Sequence, residues 1–338
     1  MPYRKHYTIP IFIPHLGCPH QCVFCNQRKI SGTIREPDAR QVEDIIKRHL
    51  STIPRENAHI EIGFFGGSFT GIDPDKQIEF LSLAHRQSAI GNLKGIRIST
   101  RPDYIDGERL QLLKDHGVTT IELGAQSMDD EVLRRSGRGH TVADTEKASA
   151  LILQKGFGLG LQMMIGLPGD TPEKSLHTAR RIVELGADNT RIYPTLVIKN
   201  TPLAEWYRKG DYRPLSLDEA IHWTMQICRI FDNAGVNIIR MGLHPSEGLA
   251  SGEELIAGPY HPSFRELVET GLWKERFQNL SEVGSGKPIT IHVAPDQYNV
   301  AIGYRAGNKR MLLDRFMSVK FIKDESLTGR DFYVDYPG

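Results

Sequence analysis

Apolar and β-branched residues recur along this chain in short runs, at 8–13, 59–65, 95–100, 119–125, 159–165 and 189–197. Runs of six to nine such residues bounded by turn formers read as strands. Between them, segments 38–50, 75–88, 107–116, 142–155 and 172–185 carry a helical period. Start signals mark several of these. Asp38 follows a proline, Asp106 precedes an acidic first turn, and Thr171-Pro172-Glu173 supplies a cap with proline at the first helical position. Gly117, Gly156 and Gly186 each close a helical pattern where a left-handed cap belongs. Six strands alternating with helices predict an α/β fold, a parallel sheet with helices outside. Curled, that sheet is a partial or full (β/α) barrel; flat, it is doubly wound.

Past about residue 202 the pattern loosens. Segment 216–233 predicts a long helix, 236–240 a further short strand, and 248–280 a mostly helical stretch. After Gly284-Ser285-Gly286, alternating stretches at 289–293, 298–303, 319–323 and 331–335 predict a small α+β appendage. The expected division is a barrel core over 1–245 and a helical and small-sheet extension over 246–338.

Composition narrows the class. The 338 residues are 39% apolar and 25% charged, the balance of a globular protein large enough to bury a core without disulfides. No run reaches the ~18 apolar residues of a membrane span, and the first residues lack an export signal's apolar stretch. A cytoplasmic location is expected. The net charge of +1 announces no polyanionic partner, so any nucleic-acid surface has to be local.

Three of the four cysteines lie within eight residues, as Cys18-Pro19-His20-Gln21-Cys22-Val23-Phe24-Cys25. Clustered thiols point to a metal site rather than a disulfide framework. Three thiolates on a short loop can each bind a different iron of a cubane, leaving the fourth iron open to a small molecule. The alternative is structural zinc on three cysteines plus His15 or His20, although a second ligand knuckle is missing. Cys228 sits in an amphipathic segment and reads as a buried small hydrophobe.

C-x3-C-x2-C with an aromatic before the last cysteine resembles the signature of the radical S-adenosylmethionine (SAM) superfamily. The resemblance implies a [4Fe–4S] cluster on Cys18, Cys22 and Cys25, with SAM chelated at the open iron. It also implies reductive cleavage to a 5′-deoxyadenosyl radical, and an electron donor such as ferredoxin or flavodoxin. Phe24 would then pack near the adenine. Gly66-Gly67-Ser68 follows a strand and resembles the superfamily motif for the SAM amino group; two glycines let backbone approach a ligand. Ser99 stands where the superfamily often has a carboxylate; it can still hydrogen-bond. Pro102 forces the residue before it out of the α region. Gln126, at a strand end with Glu122 four residues earlier on one face, suits a ribose hydroxyl. Arg138 suits a carboxylate. Gln162 and the Gly166-Leu167-Pro168-Gly169 turn, through Leu167, complete a bowl around an adenosyl group.

Residues 99–104 (STRPDY), 122–127 (ELGAQS), 138–141 (RGHT), 166–171 (GLPGDT) and 191–197 (RIYPTLV), in this order, resemble the radical SAM domain of the Elongator catalytic subunit. The likeness covers roughly residues 8–205; a looser one to oxygen-independent coproporphyrinogen oxidase covers the same core. The closer resemblance implies RNA, of tRNA type, as substrate. Acetyl-CoA chemistry is not expected of this chain alone: the tail is too short for both barrel closure and an acetyltransferase fold, and no Gly-rich loop for a CoA pyrophosphate is evident. Lys287, Arg305, Lys309, Arg310, Arg315, Lys320 and Lys323, interleaved with Tyr298, Tyr304, Phe316 and Phe321, form a candidate RNA surface; a solvated face over a packed small sheet fits them equally. His244-Pro245-Ser246, His261, Lys29, Tyr104 and Tyr193 are candidates for the substrate mouth. Two further readings stay open: a radical SAM enzyme on a small-molecule or tetrapyrrole substrate, and a non-catalytic Fe–S or zinc protein.

Overall fold

The computed structural model describes residues 5–13, 18, 22–26, 37–54, 58–88, 93–243, 247–278, 280 and 286–336. His15, His20, Lys29, His244, Pro245 and Ser246 lie outside the described residues.

Seven parallel strands form the main sheet: β1 (Lys5–Ile13), β2 (Ala58–Gly66), β3 (Leu93–Thr100), β4 (Val118–Gln126), β5 (Gly158–Ile165), β6 (Asn189–Pro194) and β8 (Asn237–Met241). They lie side by side in chain order, with β1 and β8 as the two edges, so the sheet is an open, partial (β/α) barrel. Helices Ala39–Thr52, Pro74–Ser88, Gly107–Asp115, Val142–Gln154 and Pro172–Glu184 follow the first five strands, as their periodicity predicts. Asp38 caps the first through a reciprocal box with Gln41, and Asp106 and Thr171 cap two others. Gly117, Gly156 and Gly186 take φ of 77°, 74° and 76°, the expected left-handed caps.

Three local expectations need correction. The strand expected at 189–197 stops at Pro194, which has no N–H for a ladder; Thr195 turns both its N–H and its hydroxyl to the Ile165 carbonyl (3.0 and 2.8 Å). The following β7 (Val197–Ile198) pairs antiparallel with β9 (Leu255–Ala257) in a separate ribbon. That ribbon also interrupts 248–280, where only Glu247–Ala250 and Phe264–Gln278 are helical. Residues 298–303 alternate in sequence yet contain a short helix, Tyr298–Ile302. Tyr298, Ala301 and Ile302, which pack into the core there, also fit the i, i+3, i+4 spacing of a helix. Helix Asp130–Arg135, six residues long, was too short to show a period.

The main core lies between the sheet's outer face and the helices. Ile9, Ile11, Ile62, Phe64, Ile98, Ile121, Leu123, Leu161 and Met163 are buried there. The intervening strand positions, of opposite facing, carry Glu61, Arg97, Glu122, Gln162 and Arg191 into the barrel interior. A second core joins helix Phe264–Gln278 to a mixed sheet of β10 (Pro288–Val293), β11 (Ser318–Lys323) and β12 (Phe332–Asp335). That helix serves both: Phe264, Val268 and Leu272 face the main core, and Trp273 and Phe277 the small one. Cys228 is fully buried with its thiol against Met241, and burial pushes its pKa far up, as expected of a core residue.

Candidate active site

The cysteine loop is held at the C-terminal ends of the strands by backbone bonds. Val23 N–H donates to Ser136 O (3.1 Å), Leu203 N–H donates to Val23 O (2.9 Å), and Cys25 N–H closes a turn on Cys22 O (3.0 Å). Phe24 and Trp206 pack against a satellite core of Val23, Val197, Leu203, Ala204 and Tyr212. The aromatic before the last cysteine therefore anchors the loop. Burial raises the Cys18 thiol's pKa, opposed by the backbone of Ser68 and the charges of Arg101 and Arg138.

Three strand-end turns converge on this loop. Gly67 N–H donates to Ile13 O (2.7 Å), tying the end of β2 to the end of β1. Gly66 has φ 109°, and a Cβ there would lie 2.9 Å from Ile13 O, so only glycine allows this approach. Ser68 Oγ meets Thr100 Oγ1 at 2.8 Å and accepts from Arg101 N–H at 3.2 Å. Thr70 joins the same Thr100 hydroxyl at 2.6 Å. Arg101 is extended, as Pro102 requires. Its buried guanidinium clamps Asp103 at 2.9 and 3.0 Å and donates to Arg138 O at 2.6 Å. No single-residue signal marked Arg101, Thr70 or Thr100 for the site, because Thr70 meets Thr100 across 30 residues and Arg101 meets Arg138 across 37.

Arg138 reaches Cys22 Sγ with one nitrogen (3.2 Å) and the Gly124 carbonyl with another (2.6 Å). Gly124 makes the room: a Cβ would stand 2.9 Å from Gln126 Nε2 and 3.2 Å from Arg138 Nη2. Gln126 ends β4 at φ 65°, a strained conformation for a non-glycine residue that costs about 1 kcal/mol or more. His140, which the sequence reading passed over, donates through Nε2 to Ala125 O (3.3 Å). Burial, then Arg138 and Arg101, hold its pKa down at about 3, so it is neutral here.

Around the end of β4, hydrogen bonding is incomplete. Among the described residues, Gln126 Oε1, Ser127 Oγ, Ser136 Oγ, Arg138 Nε and His140 Nδ1 are buried without a partner, as are Thr145 Oγ1, Ser149 Oγ and Tyr260 OH. Buried polar atoms are otherwise nearly always satisfied, so donors and acceptors gathered beside a thiol loop fit a polar ligand.

The interior below is different. Arg97 donates to Glu61 Oε2 (3.0 Å) and Glu122 Oε1 (3.0 Å), and Arg191 grips Glu122 at 2.6 and 2.9 Å. Gln162 Nε2 donates to Glu122 Oε2 (2.8 Å) and Ser99 Oγ (3.2 Å). Burial alone would raise the pKa of both glutamates; Arg191 and Arg97 at Glu122, and His6 and Arg97 at Glu61, outweigh it, taking Glu61 to about 2. The structure thus gathers Gly66, Gly67, Ser68, Gln126 and Arg138 near the thiols. It places Ser99 and Gln162 lower, in a paired network. Leu167 lines a 320 Å³ cleft with Trp206, Tyr212, Leu215 and Trp223, two of which, Trp206 and Tyr212, also pack with Phe24 of the cysteine loop. Beside that cleft, burial lifts Asp170 to about 6 although Ser175, Gly166 and Thr171 all donate to it.

Residues 12–182, just over half the chain, match the family model of the radical SAM superfamily, and 187–274 match its C-terminal domain. The protein belongs to the radical SAM superfamily. It is thus an enzyme of that superfamily, whose cofactors are a [4Fe–4S] cluster and SAM. The thiol trio and the unpartnered polar atoms beside it fit that pair. The chain is 26% identical to the tRNA uridine(34) acetyltransferase of Dehalococcoides mccartyi, over 61% of this chain and 52% of that one. It is 36% identical to the Methanocaldococcus infernus enzyme of the same name, over 60% and 46%. Protein YhcC of Escherichia coli is 25% identical, over 59% and 63%. The chain spans about half the length of the acetyltransferases it matches. The fold matches that of archaeal Methanocaldococcus infernus Elp3 with a TM-score of 0.65 at 22% identity, over 81% of this chain and 64% of that one. Among the described residues no helix is long and apolar enough to cross a membrane.

Proposed function

We propose that this enzyme abstracts a hydrogen atom from a nucleotide in RNA, a tRNA-type substrate. The observation that carries the chemistry is the Cys18–Cys22–Cys25 loop seated beside Arg138 and the unpartnered Gln126 carbonyl. The choice of RNA is supported by the likeness to enzymes named tRNA uridine(34) acetyltransferases.

In this reading the three thiolates hold the cluster, and Arg138, donating to Cys22, stabilises negative charge on sulfur. When bound, the cluster and SAM together supply a primary carbon radical. Gly66, Gly67 and Ser68, whose turn ends β2 with the Ser68 backbone against Cys18, would receive the amino acid end of SAM. Gln126 offers a buried acceptor for its hydroxyl groups, and the Arg101 clamp holds the Arg138 turn in place. Ser99 and Gln162 act through the interior network, and Leu167 and Phe24 shape the walls. The barrel's contribution is positioning and exclusion of water.

RNA contact falls to exposed cations of the C-terminal sheet, among them Lys287, Arg305, Arg310, Lys320 and Lys323. The interleaved aromatics are committed elsewhere. Phe316 and Phe321 are core residues, and Tyr298 lies under Lys323 at 5.2 Å. Binding is therefore expected through phosphates, with steep salt dependence, rather than by base stacking.

The test is anaerobic reconstitution followed by dithionite and SAM, with and without bulk tRNA. Iron near four per chain, 5′-deoxyadenosine, and more of it with tRNA are expected. Single Cys18→Ala, Cys22→Ala and Cys25→Ala variants should lose iron and product together while keeping their fold. No 5′-deoxyadenosine under any condition would sink the chemistry. Product unaffected by tRNA, with no gel shift at low salt, would sink the substrate.

A further inference from the structure

A group of metal-ligand side chains lies at the other end of the barrel. His6 and His59 are register partners on β1 and β2, and Glu61 follows His59 by two residues on the same face. The imidazoles stack with centroids 4.9 Å apart, and His6 Nε2 lies 2.9 Å from Glu61 Oε2. One ligand atom from each of the three lies within 4.8 Å of the others. Seven residues of β1, about 23 Å of strand, separate His6 from Ile13, where the cysteine loop begins.

We propose that His6, His59 and Glu61 form a second metal site, separate from the cluster, for a divalent cation of the zinc type. Two imidazoles and a carboxylate are zinc chemistry, whereas magnesium and calcium demand oxygen ligands. Three protein ligands leave a fourth position for water. The His6 side chain is 43% exposed, so an ion has an entry path, while the Glu61 side chain is 7% exposed and held ionised. Arg97, 3.0 Å from Glu61 Oε2, fixes the carboxylate's orientation as an outer-sphere partner. Its charge opposes the cation, and Glu122, at 3.0 Å on its other side, offsets part of that. Zinc bonds of ~2.1 Å require the three donors, now within 4.8 Å of one another, to converge by side-chain rotation.

Such an ion ties β1 to its single neighbour. β1 is the sheet's edge strand and delivers the chain to Cys18. Zinc at its start would hold in register the strand whose far end carries the cluster loop.

The experiment is a titration of the reconstituted full-length holoenzyme with zinc under a competing chelator, with cluster iron measured in parallel. The wild type is expected to bind one zinc per chain beyond its iron. His6→Ala and His59→Ala should each weaken zinc by about 100-fold, at least what loss of an outer-sphere partner costs, with iron unchanged. His6→Asn keeps a hydrogen-bond donor for Glu61 but removes the imidazole, so it separates lost ligation from lost packing. Cobalt in place of zinc should give a spectrum free of thiolate charge transfer. No zinc beyond the cluster site in the wild type, or wild-type affinity in all three variants, would overturn the proposal.

Discussion

Two polar clusters sit on one sheet, and they differ in how their hydrogen bonds close. Inside the barrel, Glu61, Arg97, Glu122 and Arg191 pair charge with charge, and Gln162 donates to Glu122, at 2.6–3.2 Å across five strands. At the strand ends, Gln126, Ser127, Ser136, Arg138 and His140 each retain a buried atom with no partner among the described residues. A satisfied network in a low-dielectric interior stabilises one arrangement of the strands. An unsatisfied one, beside three thiols and a strained Gln126, is stable only because the surrounding fold imposes it. The first is closed by its own pairs; the second leaves donors and acceptors open beside the thiols.

The largest effect should separate the two arginines. Arg97→Met leaves Glu61 and Glu122 each short of a buried cation and should cost about 3–5 kcal/mol of stability in denaturant titration. Arg138→Met strands no carboxylate and should cost about 1 kcal/mol, yet it removes the donor to Cys22 and should depress 5′-deoxyadenosine formation. Equal stability losses would erase the contrast.

Acid comes next. Glu61 at about 2, against 4.5 unfolded, stabilises the fold fully above pH 4.5 and loses that contribution as pH falls toward 2. The loss amounts to about 3 kcal/mol. His140 acts in the same direction from higher pH, since below 6.5 the unfolded imidazole takes up a proton that the folded one, held at about 3, does not. Stability measured from pH 8 downward should therefore begin to fall near pH 6.5 and steepen below 4.5. His140→Gln should remove the first phase alone.

The smallest effect is the most diagnostic. Gln126→Gly relieves the positive φ and should stabilise the apoprotein by about 1 kcal/mol. The same change removes the buried carbonyl and should weaken SAM binding by about tenfold, as loss of one hydrogen bond does. A destabilised variant that binds SAM normally would make Gln126 a scaffold residue.

Most of the barrel was legible in the sequence because its signals are local. Strand runs, the caps at Asp38, Asp106 and Thr171, and the left-handed glycines each depend on a few neighbouring residues. Where a segment was short or satisfied two periods at once, as at 130–135 and 298–303, local pattern was insufficient. The cysteine triad was equally readable, since eight contiguous residues carry it.

Chain order alone therefore determined the parallel sheet, its helices and the thiol loop at a strand end. Tertiary structure alone decided that the barrel stays open, that Gln162 and Ser99 belong to an interior charge network, and that Phe24 anchors its loop. It also decided which polar atoms lack partners and that His6 meets Glu61. The physical reason is separation: Arg97 meets residues 25, 36 and 92 positions away, and His6 meets one 55 away. Contacts of that range arise only when the sheet closes them.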